Sequence, residues 1–176
     1  MRFNLRFCDR GTAMLYIARS MRELNFAALM EVYIEGNREN AAENDPDLPE
    51  GQGLLQAEQR FYQYLREDFF RVPGAYYAIW QEAGRYVSAL RLEPYRDGLL
   101  LEALETAPEQ RRRGYAEALI CAALPGQGKV YSHVHKKNIP SLRIHEKCGF
   151  RRISEQAVYI DGSVNDRCCT MCRDGQ

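Results

Sequence analysis

Apolar and polar residues alternate with two different periods along the chain, and these periods predict its first elements. A period of two over residues 1–7 predicts a strand. Apolar positions at helical spacing predict amphipathic helices over about residues 18–37 and over residues 54–70. Between them, residues 39–53 combine acidic side chains with prolines and glycines and contain no basic residue. This composition predicts a loop.

The rest of the chain continues as a strand meander and then alternates strands with helices. Three β-rich runs lie at residues 75–81, 86–93 and 99–106. The last third contributes two helices, over residues 113–124 and 138–147, and three strands, over residues 129–134, 150–160 and 165–172. Asp97-Gly98 and Asp161-Gly162 are typical of tight hairpin turns. The order favours one α/β domain, residues 1–176, whose mixed sheet carries helices on both faces.

Charge and composition exclude several classes of protein. The 24 Lys and Arg residues balance 24 Asp and Glu residues, which argues against a nucleic-acid binder. No stretch of about 18 apolar residues is present, so we expect no membrane span. Residues 1–6 lack the apolar core of a secretion signal, so we expect a cytoplasmic protein with reduced cysteines.

Metal-binding patterns are weak in this sequence. Cys169 and Cys172 form a single C-x-x-C pair, and a second such pair is absent. His133 and His135 share one face of a short strand, but the sequence shows no evident third ligand. We therefore expect no metal site.

The sequence between the strand at 99–106 and the following helix favours an anionic ligand. It reads Gln-Arg-Arg-Arg-Gly-Tyr-Ala over residues 110–116. A helix N-terminus offers unpaired N–H groups and the positive end of the helix dipole. Gly114 allows the backbone to approach a ligand closely. On charge alone, a solvated basic turn is the alternative.

Two motifs together resemble those of the GNAT N-acetyltransferases. Residues 108–116, Pro-Glu-Gln-Arg-Arg-Arg-Gly-Tyr-Ala, resemble the coenzyme-A motif R/Q-x-x-G-x-G/A of that family. Residues 138–150, Asn-Ile-Pro-Ser-Leu-Arg-Ile-His-Glu-Lys-Cys-Gly-Phe, resemble its second motif, N-x-x-A-x-x-L-Y-E-K-x-G-F. The order of elements matches the family over nearly the whole chain.

This resemblance implies a fold, a donor and a binding site. The implied fold is a mixed, largely antiparallel seven-stranded sheet flanked by about four helices. Acetyl-CoA would be the acetyl donor, with direct transfer to an amine in a ternary complex. Its pantetheine arm would enter the gap where the parallel strands at 99–106 and 129–134 separate. The residues implied in coenzyme binding are Thr106, Arg111, Arg112, Arg113, Gly114, Tyr115, Ala116, Asn138 and Ser141.

Two glutamates on the strand before the coenzyme motif are candidate general bases. An alkyl ammonium has a pKa near about 10 and must lose a proton before it attacks. Glu102 and Glu105 are three positions apart, so a regular strand would point them to opposite faces. Some relatives place a catalytic or substrate-binding glutamate at the position of Glu102, which ranks it first, with Glu105 as the alternative. We expect Glu102→Gln to lower turnover more than coenzyme binding.

The candidate proton donor to the departing thiolate departs from the family pattern. The family often uses a tyrosine in the second motif, whereas this chain has His145. A histidine can supply a proton because its ordinary pKa is about 6.5. The alternatives are that His145 packs or contacts the coenzyme, and that Tyr131 or Tyr159 is the acid.

The identity of the acceptor stays open at the level of sequence. The acidic residues of 39–53 suggest an electronegative rim that attracts a small cationic amine. A protein or peptide N-acetyltransferase and a non-catalytic acyl-CoA-binding module are the alternatives. A monomer and a homodimer are both compatible with the sequence.

Overall fold

The structure, a computed structural model, describes residues 13–124, 126 and 128–175. Its strands are β1 Met14–Ala18, β2 Tyr76–Glu82, β3 Arg85–Tyr95, β4 Gly98–Thr106, β5 Lys129–His135, β6 Arg151–Ser154, β7 Ala157–Val158, β8 Val164–Asn165 and β9 Cys168–Arg173. Its helices are α1 Phe26–Val32, α2 Ile34–Asn44, α3 Glu50–Glu67, α4 Tyr115–Ala123 and α5 Ile139–Lys147. The strand predicted over residues 1–7 lies outside the described residues.

The main sheet has seven strands in the order β1-β2-β3-β4-β5-β9-β6. Strands β4 and β5 pair in parallel, and the neighbouring strands of this sheet otherwise pair antiparallel. Strands β7 and β8 form a separate small sheet. The predicted fold class, a mixed and largely antiparallel sheet flanked by helices, is confirmed.

Apolar cores cover both faces of the sheet. Alternation along β3 sends Leu90 and Leu92 to the face that packs on α4 and α5. Ala89 lies on the opposite face, in the core formed with Leu29 of α1 and Leu65 of α3. Helix α2 lies beside α3 on this second face. No helix in the described part of the chain is long and apolar enough to cross a membrane.

The helix predicted over about residues 18–37 begins later than expected and is interrupted. Only Ala18 of this span belongs to β1, where it pairs with Tyr77 of β2, and the chain then turns between Ser20 and Leu24 before α1 begins at Phe26. Asn25 caps the N-terminus of α1, since its side chain accepts a hydrogen bond from the Ala28 N–H at 3.1 Å. Tyr33 separates α1 from α2. The turn that begins at Ser20 and the Asn25 cap, rather than the apolar spacing, therefore set the start of the helix.

The loop predicted over residues 39–53 is also wrong, because helices occupy most of it. Helix α2 continues to Asn44, and α3 begins at Glu50. Pro49 stands at the N-cap of α3, where its missing N–H costs no hydrogen bond. A Cβ on Gly53 would lie 3.4 Å from the Ala41 Cβ, so this glycine serves the close packing of α3 on α2.

The long strand predicted over residues 150–160 is interrupted. Strand β6 pairs with β9 and ends at Ser154, where the register shifts. The Ser154 hydroxyl accepts a hydrogen bond from the Gln156 N–H at 3.1 Å, which turns the chain toward β7. The hairpin predicted at Asp161-Gly162 joins β7 to β8 as expected, with Gly162 at a φ of 83°.

Candidate active site

A cleft opens where β4 and β5 separate. The two strands pair from Gly98 with Lys129 to Leu101 with Ser132. Beyond this point β4 continues to Thr106 without pairing to β5. The predicted parallel, diverging strands are therefore confirmed. The unpaired edge of β4 leaves backbone groups free to bind an extended ligand.

The turn before α4 presents backbone N–H groups at the mouth of this cleft. Arg112 and Gly114 adopt positive φ angles of 62° and 84°, which reverse the chain into the helix. Gly114 is the N-cap of α4 and provides no side-chain cap. The N–H groups of the first turn are therefore available to an anion.

The cleft has a volume of about 640 Å³ and joins residues from distant parts of the chain. The predicted coenzyme residues on its wall are Thr106, Arg111, Arg112, Gly114, Tyr115, Ala116, Asn138 and Ser141. Arg113 is the exception, since it is exposed and does not line the cleft. Arg111 braces the turn, because its Nε donates to the Thr106 carbonyl at 3.2 Å and its Nη1 pairs with Glu35 at 2.6 Å.

Two parts of the wall were missed by the sequence reasoning. The Gln110 Oε1 is buried and has no hydrogen-bond partner in the described part of the chain. Gln110 directly precedes Arg111, which fills the first position of the coenzyme motif, so the motif gives no direct signal for Gln110. Glu35 and Gly36 of α2 also line the cleft. They belong to segments whose place next to β4 has no local sequence signal.

A β-bulge in β4 places the two candidate glutamates on one face, so their predicted opposite orientation is wrong. Arg91 pairs with Glu102 and Ala89 pairs with Glu105, with a register shift between them. Ala103 has a φ of 49°, and its carbonyl accepts the Tyr33 hydroxyl at 2.5 Å. One extra residue in β4 inverts the alternation beyond the bulge.

Glu102 forms an ion pair with Arg91. The Arg91 Nη2 and Nε lie 3.0 Å and 3.3 Å from the Glu102 Oε2. The side chains of Arg91 and Glu102 are 18% and 22% exposed, so the pair is largely shielded from water. Removing a proton from a substrate would compete with this ion pair.

Glu105 lies at the junction of the cleft with a second cavity. This cavity has a volume of about 390 Å³ between α2, α3, β3 and β4. Glu105 and Gly36 line both spaces. A Cβ on Gly36 would lie 2.8 Å from the Glu105 Oε1, so a larger residue at position 36 would displace the carboxylate from its present position against α2.

The surroundings of Glu105 raise its pKa to about 7. Burial is the main cause, and the negative charges of Glu39 and Glu35 add to it, whereas Arg111 opposes it. A carboxylate with a pKa near neutrality exchanges protons at physiological pH, as a general base requires.

His145 packs beneath the cleft and does not line it. Only 1% of the residue is exposed, and its ring packs edge-on against Phe150 at 5.0 Å. Its Nδ1 lies 2.8 Å from the Ser141 carbonyl, to which it donates as a neutral imidazole. Burial lowers the pKa of His145, so the imidazole is mostly in its neutral form at neutral pH. This geometry favours the packing alternative over the proton-donor prediction.

We expect His145→Leu to leave kcat within about threefold of the wild-type value. The substitution loses one hydrogen bond and removes the unpartnered Nε2, so unfolding free energy should change by about 1 kcal/mol or less. Steady-state kinetics and thermal unfolding would test this. A drop in kcat of about 100-fold, with coenzyme affinity and thermal midpoint unchanged, would restore the proton-donor role.

Comparisons with known proteins agree with this architecture. The acetyltransferase (GNAT) family model matches residues 37–150. The PaiA N-acetyltransferase from Thermoplasma acidophilum, solved in complex with coenzyme A, superposes with a TM-score of 0.62 at 13% identity, covering 92% of this chain and 99% of that one. A search of curated sequences finds no match.

Other solved structures share the fold. The IAA acetyltransferase from Bacillus cereus has a TM-score of 0.59 at 13% identity, covering 93% of this chain and 99% of that one. A chimera of the Vibrio cholerae spermidine N-acetyltransferase SpeG and hSSAT has a TM-score of 0.57 at 19% identity, covering 92% and 95%. The fold and the site define an acyltransferase. The chain belongs to the GNAT family of N-acetyltransferases.

Proposed function

We propose that this protein transfers the acetyl group of acetyl-CoA directly to a primary amine in a ternary complex. The observation that carries the proposal is the position of Glu105 between the cleft at β4 and β5 and the second cavity. Two adjoining spaces suit two substrates held together, and a residue between them can act on both.

The residues of the cleft fit acetyl-CoA. The uncapped N-terminus of α4 suits the pyrophosphate, and the separated edge of β4 suits the pantetheine arm. The unpartnered Gln110 Oε1 accepts a hydrogen bond from an N–H group of the ligand. When bound, acetyl-CoA supplies a thioester that is open to attack by an amine.

Glu105 acts as the general base in this proposal. The amine arrives as an ammonium, and the acidic side chain of Glu39 at the cleft favours its entry. Glu105 accepts a proton from the ammonium, which frees the nitrogen lone pair for attack on the acetyl carbon. The thiolate leaves with the electron pair of the broken C–S bond, and it takes up the second proton, which the acetylated nitrogen loses as the neutral amide forms.

The acidic segment predicted as a rim contributes less than its composition suggests. Glu39 reaches the cleft wall. Asp45 pairs with Arg60 at 2.6 Å, and Glu50 lies 3.5 Å from the Arg38 Nε. Glu35 likewise pairs with Arg111 at 2.6 Å, so attraction of the ammonium rests on Glu39 and Glu105 rather than on the whole segment.

We expect kcat/KM to rise with pH through about 7 and then to level off, because Glu105 must be deprotonated to act. The Glu39→Gln variant should move this midpoint to lower pH, since the negative charge of Glu39 raises the pKa of Glu105. Initial rates of thiol release across the pH range would show both effects. A flat profile in the wild type would remove Glu105 from the mechanism.

A panel of amines tests the function itself. Acetyl-CoA-dependent thiol release, with the acetylated amine identified by mass spectrometry, is the expected result. Coenzyme binding without thiol release for small amines and peptides alike would instead indicate a non-catalytic acyl-CoA-binding module.

A further inference from the structure

We propose that the acceptor amine carries a carboxylate at its other end and that Arg91 binds this carboxylate. The inference rests on the proposed function and specifies its acceptor as an amino acid-like zwitterion rather than a polyamine. It is carried by the second cavity, which we call the acceptor cavity.

The charges on the wall of the acceptor cavity favour an anionic group. Arg60 and Arg91 line it, whereas their carboxylate partners Asp45 and Glu102 do not. Glu105 is the one carboxylate among the described residues that line this cavity. A diamine would place its second ammonium near guanidinium groups, while a carboxylate would gain from them.

Arg91 is held in place yet keeps donor capacity. Its guanidinium lies 5.0 Å from the Tyr64 ring centre and 5.8 Å from that of Phe69, which restrict its movement. Its Nε and Nη2 donate to Glu102, and Glu102 is the one carboxylate that it contacts in the described part of the chain. A guanidinium can bind a second carboxylate through this remaining edge.

The spacing between Arg91 and Glu105 suits a short molecule. Ala89 pairs with Glu105, and Arg91 is two residues further along β3. In a regular sheet the Cα atoms of such diagonal neighbours lie roughly 7–8 Å apart, and here the bulge in β4 lies between the two positions. An amine at Glu105 and a carboxylate at Arg91 therefore belong to one small substrate.

Carboxamides of α2 complete the polar wall. Asn37, Asn40 and Asn44 follow helical spacing and line the cavity. Asn37 is only 4% exposed, and its Nδ2 donates to the Met30 Sδ at 3.3 Å, a weak acceptor. A substrate oxygen would be a stronger partner for a buried amide donor.

Matched amines that differ in one terminal group provide the test. The panel consists of amino carboxylates with one to five methylenes between the ends, their terminal amides, and diamines of equal length. We expect kcat/KM to be at least about tenfold higher for the best amino carboxylate than for its amide and its diamine. Calorimetric titration of each compound into the protein with coenzyme A measures binding independently of turnover.

Two variants test whether Arg91 causes the preference for amino carboxylates. The double variant Arg91→Gln with Glu102→Gln leaves no unpaired charge and should reduce the ratio of carboxylate to amide kcat/KM to about one. Arg38→Gln, which breaks an exposed ion pair with Glu50, should preserve the ratio. If the double variant keeps the wild-type ratio of carboxylate to amide kcat/KM, the role of Arg91 is overturned.

The outcomes separate this inference from the proposed function. Turnover of amides or diamines as fast as amino carboxylates overturns the inference and leaves acetyl transfer standing. Arg91-dependent binding of an amino carboxylate without thiol release supports the inference and overturns acetyl transfer. Neither binding nor thiol release across the panel overturns both.

Discussion

Glu105→Gln is expected to lower kcat for acetyl transfer by about 100-fold or more, with coenzyme affinity nearly unchanged. The amide keeps the shape of the side chain against Gly36 but cannot accept a proton from the ammonium. Steady-state rates of thiol release and calorimetric titration with coenzyme A measure the two effects.

The same variant should be more stable above pH 7, which separates loss of the base from misfolding. Because the pKa of Glu105 is raised on folding, its ionisation costs stability as pH rises from about 4.5 to about 7. Glutamine avoids this cost, so the free energy of unfolding at pH 8 should rise by about 1–3 kcal/mol.

Glu102→Gln is the matched control, since it makes the same change on the same face of β4. It frees Arg91 from its ion pair, so we expect the KM for the amine to change more than kcat. A larger loss of kcat in Glu102→Gln than in Glu105→Gln would reverse the assignment of the base and restore the ranking made from the sequence.

Gly114→Glu is expected to abolish measurable coenzyme-A binding. Gly114 has a φ of 84°, so a side chain strains the turn at the N-terminus of α4. The added carboxylate would also occupy the mouth of the cleft with a negative charge where the pyrophosphate is expected. Isothermal titration with coenzyme A would measure the loss.

Two further variants separate backbone strain from occlusion of the site. Gly162→Glu makes the same change at a glycine with a φ of 83° and open space around it, and it should retain coenzyme affinity. Asparagine tolerates the left-handed conformation, so Gly114→Asn should retain more coenzyme affinity than Gly114→Glu. Full coenzyme affinity in Gly114→Glu would contradict the assignment of the cleft.

The cleft that we assign to the coenzyme could be predicted from the sequence because its determinants are local. The turn before α4 requires a glycine at position 114, and α5 begins after Asn138, whose side chain accepts from the Ser141 N–H at 3.1 Å. Each depends on residues close together in the chain. Two short motifs were therefore enough to place most of the cleft wall.

The acceptor side could not be predicted because it depends on long-range contacts. The bulge at Ala103 is tied to Tyr33, far away in sequence, and a regular alternation over β4 gives no sign of it. Two residues that suggested a loop serve the helices instead, since Gly53 lets α3 pack closely on α2 and Pro49 stands at the N-cap of α3. Without these helices, the acceptor cavity and the position of Glu105 in it could not be derived.

A crystal structure of the protein with coenzyme A and the preferred amine tests the central claim most directly. We predict that the coenzyme sulfur lies at the junction of the cleft and the acceptor cavity. The amine nitrogen should lie within hydrogen-bond distance of a Glu105 oxygen, about 2.6–3.2 Å, or be joined to it by one water. A sulfur that faces Glu102 or His145, with Glu105 remote from the amine, would contradict this account.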